Sequence, residues 1–139
     1  MPTTTWNDSM QIGIPVIDRQ HQQLIDQMDR LVEAMKRNGG QGEIRQILDF
    51  LDRYVQEHFG FEEACMHRHH CPVAQVNQKA HQQFVATLKQ VRQEFERTGP
   101  SLILVLKVND QLLDWFVNHI RKIDRELTVS MAKGTGSMA

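Results

Sequence analysis

Apolar residues recur in the first third of the chain at intervals of three and four. The predicted inner face consists of His21, Leu24, Met28, Leu31 and Met35. These intervals place side chains on one side of a helix with about 3.6 residues per turn. The pattern predicts a helix over residues 18–38, with Asp18 as its N-cap and a Gly-Gly pair after its last turn.

Three further segments, residues 42–69, 73–97 and 101–130, show the same periodicity, and none alternates as a strand would. Their predicted inner faces are Ile44, Leu48, Leu51, Val55, His58, Glu62 and Met66; Asn77, His81, Phe84, Leu88, Val91 and Phe95; and Leu104, Val108, Leu112, Trp115, His119 and Ile123. Short links make consecutive long helices antiparallel neighbours. The sequence therefore predicts an all-α fold, an antiparallel up-down-up-down four-helix bundle, as one domain over residues 1–139.

The two ends of the chain lack this periodicity. Residues 1–17 are interrupted by Gly13 and Pro15, and they predict an extended N-terminal arm laid over the bundle. The predicted anchors of this arm are Trp6, Ile12, Ile14, Val16 and Ile17. Residues 131–139 are rich in small residues and predict a flexible tail.

Composition excludes several classes of protein. The net charge of -1 gives no basic surface for nucleic acid and no polybasic run for membranes. The chain has neither an apolar window long enough to span a membrane nor the pattern of a signal peptide. Two cysteines do not make a disulfide framework. We therefore expect a cytoplasmic protein, and a monomer.

Ionisable residues interrupt the predicted apolar faces. His58 and Glu62 are four residues apart, so both face the core of the second predicted helix. A buried carboxylate is costly unless it is paired or bound to a metal, and for these two residues alone a simple His–Glu pair is the commoner arrangement. The other predicted helices carry similar residues at the same end of the bundle: His21, His81, His119 and Asp124.

Four histidines and two carboxylates in one bundle core predict a pair of metal ions. Imidazole and carboxylate together favour iron, manganese or zinc over calcium or magnesium. Di-iron bundles of the ferritin type carry Glu-x-x-His pairs on two helices. This chain lacks that arrangement and is richer in histidine.

Four motifs make the interpretation more specific. They are Ile17-Asp18-Arg19-Gln20-His21 with Leu24, His58-Phe59-x-x-Glu62-Glu63-x-x-Met66, His81-x-x-Phe84, and Trp115-x-x-x-His119-Ile120-x-x-x-Asp124. With these motifs in this order, the chain from Trp6 to about Leu127 resembles the hemerythrins, specifically the single-domain bacteriohemerythrins. The resemblance implies two non-haem iron ions with an oxo or hydroxo bridge, and reversible, non-enzymatic dioxygen binding as a carrier, store or supplier.

The resemblance also implies roles for individual residues. His21 and His58 would hold one iron, and dioxygen would bind there because that iron keeps an open position. His81 and His119 would hold the other iron, with Glu62 and Asp124 bridging the two. The implied oxygen pocket consists of Leu24, Phe59, Trp115, Phe116 and Ile120.

Two residues depart from the family pattern. Asn77 stands where the family usually has a histidine, four residues before His81, and we expect it to be a weak ligand or none. The second iron would then be held less tightly. This leaves open a di-iron oxidase, a peroxidase, a nitric-oxide-handling enzyme or an iron store. Phe116 stands where leucine is common and would narrow access to the oxygen pocket.

Other polar residues lie close in sequence to the proposed ligands. Any of Asp18, Gln20, Glu63 and Asp114 is placed to orient an imidazole. The group Cys65, His67, His69, His70 and Cys71 has no recognised zinc-site spacing, and we expect solvated histidines there, with adventitious metal binding as the alternative. A reductase or an oxygen-consuming enzyme is the expected type of partner, and a sensor role would need a separate signalling protein.

Overall fold

A computed structural model of the protein describes residues 5–37 and 40–138, with side chains up to residue 132. After a 3-10 turn at Asp8–Met10, helix α1 spans Pro15–Lys36, α2 spans Gln41–Arg68 and α3 spans Ala74–Thr98. Helix α4 is a continuous run over residues 102–138. In α4, α-helical segments at Leu102–Lys107, Trp115–His119 and Arg125–Met138 alternate with π-helical segments at Val108–Asp114 and Ile120–Asp124.

The described helices form the predicted antiparallel up-down-up-down bundle. Helix α1 packs against α2 and α4, and α3 packs against the same two helices from the other side. The described residues contain no strand. The predicted inner faces of α1, α2 and α3 are all buried, so the helical periodicity locates the core correctly on these three helices.

Helix α1 begins earlier than the sequence analysis predicts. Pro15 occupies its first turn, where the missing N–H of proline costs nothing and its fixed φ suits a helix. Asp18 is therefore not the N-cap. Its carboxylate instead accepts hydrogen bonds from the backbone N–H groups of Ile12 (2.8 Å) and Gly13 (3.1 Å), which ties the end of the arm to α1.

The N-terminal arm contacts the bundle through a different set of side chains from the one predicted, because Met10, which is not among the predicted anchors, is also buried. Ile12 is buried and Trp6 and Ile14 are partly buried, but Val16 is 47% exposed, so its prediction as an anchor is wrong. The reason is the early helix start, which puts Val16 on the outer side of α1 while Ile17 faces the core. Polar contacts also hold the arm. Thr5 donates two hydrogen bonds to the Asp29 carboxylate, at 2.8 and 2.6 Å.

In helix α4, a regular α-helical period does not predict which residues are buried. Its buried residues include Val108, Leu112, Phe116, Ile120 and Asp124, at a constant spacing of four. In an α-helix that spacing drifts by about 40° per step, and the wider turns of the π segments offset the drift.

The predicted inner face of α4 is therefore partly wrong. Trp115 and Ile123 are only half-buried, because Phe116 and Asp124 take the central positions. The helix also continues to Met138, so the predicted tail is helical wherever the structure describes it. No helix within the described ranges combines the length and apolarity needed to cross a membrane.

Candidate metal centre

The predicted ligand residues meet at one end of the bundle core. They come from the start of α1, the end of α2, the start of α3 and the second half of α4, and all are buried. The described residues contain two groups in which every ligand atom lies within 4.8 Å of the others. One group is His21, His58 and Glu62, and the other is Glu62, His81, His119 and Asp124. Glu62 belongs to both groups, so the two groups form one centre.

The Glu62 carboxylate faces two pairs of imidazoles with its two oxygens. Its Oε2 lies 3.2 Å from Nε2 of His21 and 3.4 Å from Nε2 of His58. Its Oε1 lies 3.1 Å from Nε2 of His81. Asp124 repeats the arrangement, with Oδ2 3.2 Å from Nε2 of His21 and Oδ1 3.3 Å from Nε2 of His119. Each carboxylate thus spans the two imidazole pairs, as a bridging ligand would.

Several of the inward-facing atoms lack a partner. Nε2 of His58, Nε2 of His81 and both carboxylate oxygens of Asp124 are buried with no hydrogen-bond partner in the described part of the chain. Leaving a buried polar atom unsatisfied costs about 1–3 kcal/mol. Two cations at the centre would satisfy these four atoms together, so the donor set fits a pair of metal ions.

The close packing of carboxylates and imidazoles shifts the pKa values of both kinds of group in the metal-free centre. Burial favours protonation of Glu62, but the adjacent imidazoles of His21, His58 and His81 outweigh it and hold the pKa of this carboxyl well below its usual range. Burial lowers the pKa of His58, which favours the neutral imidazole that a metal requires. Burial also acts to lower the pKa of His21, but the carboxylates of Asp124 and Glu62 raise it to about 9.

Comparison with known sequences identifies the domain. The model of the hemerythrin HHE cation binding domain matches residues 12–128, which is most of the chain.

This chain belongs to the hemerythrin family.

Its relatives cover most of its length. The bacteriohemerythrin of Stenotrophomonas maltophilia is 29% identical over 125 residues, 90% of this chain and 79% of the relative. That of Pseudomonas aeruginosa is 29% identical over 124 residues, 89% of this chain and 78% of the relative. That of Ralstonia nicotianae is 21% identical over 133 residues, 96% of this chain and 92% of the relative.

Solved structures confirm the fold of this hemerythrin domain. A protein crystallised as a leucine-to-phenylalanine mutant is 25% identical and superimposes with a TM-score of 0.79, over 95% of this chain and 99% of its own. A leucine-to-tyrosine mutant of hemerythrin is 24% identical, with the same TM-score and the same coverage.

Two of the four candidate orienting residues contact histidines of the centre. Nδ1–H of His58 donates to Oε1 of Gln20 at 2.7 Å, and Nδ1–H of His81 donates to Oε2 of Glu63 at 2.8 Å. These bonds leave Nε2 of each ring as the lone-pair donor facing the centre. Asp18 serves the arm instead, and Asp114 is exposed on α4.

Asn77 lies among the ligand atoms of the candidate metal centre and is fully buried. Its amide oxygen accepts from Nε2 of His119 at 2.6 Å. Its amide nitrogen donates to Oε1 of Glu62 at 3.0 Å and to Sδ of Met66 at 3.1 Å. The sequence places Asn77 at this position, but the contact with Met66 is not apparent from it, since helical periodicity assigns Met66 only to the core.

The predicted pocket residues surround both imidazole pairs. Phe116 is edge-on to His21, with ring centroids 5.4 Å apart, and lies 6.3 Å from His58. Leu24 and Ile120 are buried. The other two predicted pocket residues, Phe59 and Trp115, lie against histidines of the second pair. Phe59 stacks on His81 at 3.7 Å, and Trp115 stacks on His119 at 4.7 Å.

The cysteine- and histidine-rich group at the end of α2 and just beyond it does not form a second ligand cluster. Within the described ranges, sets of three ligand atoms within 4.8 Å occur only at the core centre. Cys65 and Cys71 are free thiols, and the side chains of His67 and His70 are exposed. This agrees with the expectation of solvated histidines around a helix end.

Proposed function

We propose that this hemerythrin domain binds dioxygen reversibly at a non-haem di-iron centre. The observation that carries the proposal is the bridging placement of Glu62 and Asp124, each with one oxygen toward each imidazole pair. The proposed ligands are His21, His58, Glu62, His81, His119 and Asp124. The family match supports the proposal, because the matched model is a cation binding domain.

The protein supplies donors that suit iron. With metal bound, the imidazole Nε2 atoms would be neutral donors, and the two carboxylates would offset the charge of the cations. When bound, an oxo- or hydroxo-bridged iron pair supplies the electrons that dioxygen binding takes up and that release returns. The rings of His58 and His81 are held in advance by Gln20 and Glu63, so these two ligands need little reorganisation on metal uptake.

The surroundings of the first imidazole pair favour binding over catalysis. Phe116 lies edge-on against His21, and Leu24 and Ile120 are buried nearby in the core. Apolar groups of this kind would exclude water and reductants from dioxygen bound at the first position. The expected role is therefore that of an oxygen carrier, store or supplier, working with a reductase or an oxygen-consuming enzyme.

Asn77 supports a second candidate function. The amide oxygen binds His119, and the amide nitrogen binds Glu62, so this residue engages two proposed ligands of the second iron. An amide is a poorer iron ligand than imidazole, which would leave the second iron weakly held. A weakly held iron favours an oxidase, a peroxidase, a nitric-oxide-handling enzyme or an iron store.

The proposal is tested by measuring metal content and visible absorption on one anaerobic sample. The same measurements are then repeated after oxygen is added. Two irons per chain, with a visible band that appears with oxygen and fades on deoxygenation, would support reversible binding. About one iron, or irreversible conversion by oxygen, would overturn it. Turnover of peroxide or nitric oxide would then favour an enzyme, and iron uptake without an oxygen-dependent band would favour a store.

Histidine variants supply the matched control for this experiment. His58→Ala removes an inward-facing donor and should abolish the oxygen-dependent band. His67→Ala removes an exposed histidine of the same helix, outside both ligand groups, and should leave metal content and the band unchanged. Equal behaviour of the two variants would contradict the assignment of the centre.

A further inference from the structure

The two imidazole pairs have outer hydrogen-bond partners of different charge. His58 donates its Nδ1–H to the neutral amide of Gln20, and His81 donates its Nδ1–H to the carboxylate of Glu63. The two bonds have nearly equal lengths, 2.7 and 2.8 Å. The main difference between these bonds is therefore the charge of the acceptor.

The two rings are placed alike relative to Glu62. Both are buried, and the Nε2 atoms lie 3.4 Å (His58) and 3.1 Å (His81) from a carboxylate oxygen of Glu62. Phe59 lies parallel to His81, with 3° between the ring planes, and covers one face of that ring. His81 is thus held in one orientation, in line between Glu63 outside and the centre inside.

The Glu63 side chain contacts both the buried His81 ring and solvent. Its side chain is 30% exposed, in a surface groove of about 320 Å³ that is also lined by Gln56, Gln82 and Lys89. Solvent in the groove reduces the desolvation cost of the carboxylate. A carboxylate acceptor makes the bond charge-assisted and raises the basicity of the histidine as a metal donor.

The charged partner occurs in the half of the centre that contains Asn77. That half has a neutral amide oxygen where a third imidazole would add donor strength, and the amide is already engaged with His119. A stronger His81 donor would offset the weaker donor at Asn77. The two features act on the same metal position in opposite directions.

We propose that Glu63 is a positioning residue that strengthens His81 as a donor and retains a metal ion in the second position. The proposal rests on the proposed di-metal centre. The two metal positions would then differ in donor strength because of their outer hydrogen bonds. Gln20 acts on the first position through His58, and Glu63 acts on the second through His81.

Titration of cobalt(II) into the metal-free protein tests this without using oxygen. Wild type should bind two cobalt ions per chain. Glu63→Gln keeps a hydrogen-bond acceptor but removes the charge, and it should weaken one of the two sites about 10- to 100-fold while the other is unchanged. Glu63→Asp should recover part of the loss, and Gln20→Glu should tighten the opposite site.

Gln82→Glu is the matched control, because it adds a carboxylate to the same groove in addition to Glu63. It should leave both cobalt affinities within about twofold of wild type if the Glu63–His81 bond carries the effect. In the iron-loaded protein, Glu63→Gln should also raise the reduction potential of one iron only. A potential responds to donor strength and would not shift selectively from loosened packing.

Three outcomes would overturn the inference: equal weakening of both sites by Glu63→Gln, no weakening, or an effect of Gln82→Glu as large as that of Glu63→Gln. If wild type binds two cobalt ions and Glu63→Gln binds them equally tightly, only the role of Glu63 is refuted. Fewer than two cobalt sites in wild type would refute the di-metal centre as well. If Glu63→Gln fails to fold, Gln20→Glu tests the same effect of acceptor charge at the first position. An unchanged cobalt affinity of that position would then overturn the inference.

Discussion

At the scale of single residues, Asn77 bears most directly on how the second metal position behaves. Asn77→His would add an imidazole beside His119 and remove the amide that now engages Nε2 of that ring. We expect the second iron to be lost to a chelator about tenfold more slowly than in wild type. The measurement is the time course of iron release under anaerobic conditions.

Gln78→His serves as the control for this substitution, since it places a histidine at the exposed neighbouring position of α3. It should release iron at the wild-type rate. Unchanged release from Asn77→His would show that the amide is not what limits retention of the second iron.

Phe116 bears on access to the first position. Its ring is fully buried and edge-on to His21, so Phe116→Leu would open space beside both histidines of that pair. We expect severalfold faster dioxygen association and faster conversion to the oxidised form, because an apolar shield excludes water less well once it is thinned. Stopped-flow absorption measures both rates, and rates equal to those of wild type would count against Phe116 as a barrier.

His21 gives the metal-free protein a defined dependence on pH. Burial opposes protonation of this ring, but Asp124 and Glu62 raise its pKa from 6.5 to about 9 in the folded chain. Between these pH values the folded state holds a proton that the unfolded state releases, so the free energy of unfolding falls as pH rises. We expect the melting temperature of the metal-free protein to drop by several degrees from pH 6.5 to 9.

Two comparisons test the origin of that pH dependence. The metal-loaded protein should lack it, because a coordinated Nε2 cannot carry the proton. His21→Gln should reduce it without removing it, since the pKa of His81 is also raised: burial acts to lower that pKa, and Glu62 outweighs the burial. A melting temperature of the metal-free protein that stays flat over this range would contradict the prediction.

At the scale of helices, the sequence predicts α1, α2 and α3 more accurately than α4. Periods of three and four select the buried residues of the first three helices because those helices are regular. In α4 the π segments change the rotation per residue, so Trp115 moves partly outward and Phe116 takes the centre. Nothing in local propensity marks such a wide turn, and only the constant spacing from Val108 to Asp124 points to it.

The junction between the arm and α1 supports a prediction about stability. Asp18 accepts two backbone hydrogen bonds from Ile12 and Gly13, and Gly13 has a φ of +89° that favours glycine. Asp18→Ala should therefore lower the free energy of unfolding of the metal-free protein by about 1–3 kcal/mol, measured by equilibrium denaturation. Metal content should remain two ions per chain, since Asp18 contacts the arm and belongs to neither ligand group.

Gln22→Ala changes an exposed residue on the same helix and is the control. Its effect should stay within about 0.5 kcal/mol. A loss from Asp18→Ala no larger than that of Gln22→Ala would mean that the arm is held mainly by its apolar side chains.

At the scale of the whole molecule, topology explains why the sequence locates the centre but not its details. An up-down bundle brings the start of α1, the end of α2 and the start of α3 to one end, so the positions of His21, His58 and His81 along their helices suffice to bring them together. Which polar side chains contact these histidines depends on side-chain rotamers, which position in the sequence does not give. Gln20 and Glu63 could not be separated from Asp18 and Asp114 by position alone, because all four are polar residues close in sequence to a proposed ligand.

The same topology divides the core into a polar end and an apolar end. The proposed metal-binding end holds unsatisfied buried atoms, among them both carboxylate oxygens of Asp124. The opposite end is packed by fully or nearly fully buried apolar side chains: Leu31, Met35, Ile44, Leu48, Val91, Phe95 and Leu104. Removing metal should therefore weaken one end of every helix and leave the other end intact, because metal binding stabilises only the state that presents all its ligands.

Hydrogen exchange followed by mass spectrometry, with and without bound metal, measures this division. Peptides from the start of α1, the end of α2, the start of α3 and residues 115–127 should exchange faster in the metal-free protein. Peptides around Leu31, Leu48 and Phe95 should keep most of their protection. Uniform loss of protection would show that the bundle unfolds as one unit without metal. Unchanged protection at the polar end would show that its hydrogen bonds, including those of Asn77, hold the centre together unaided.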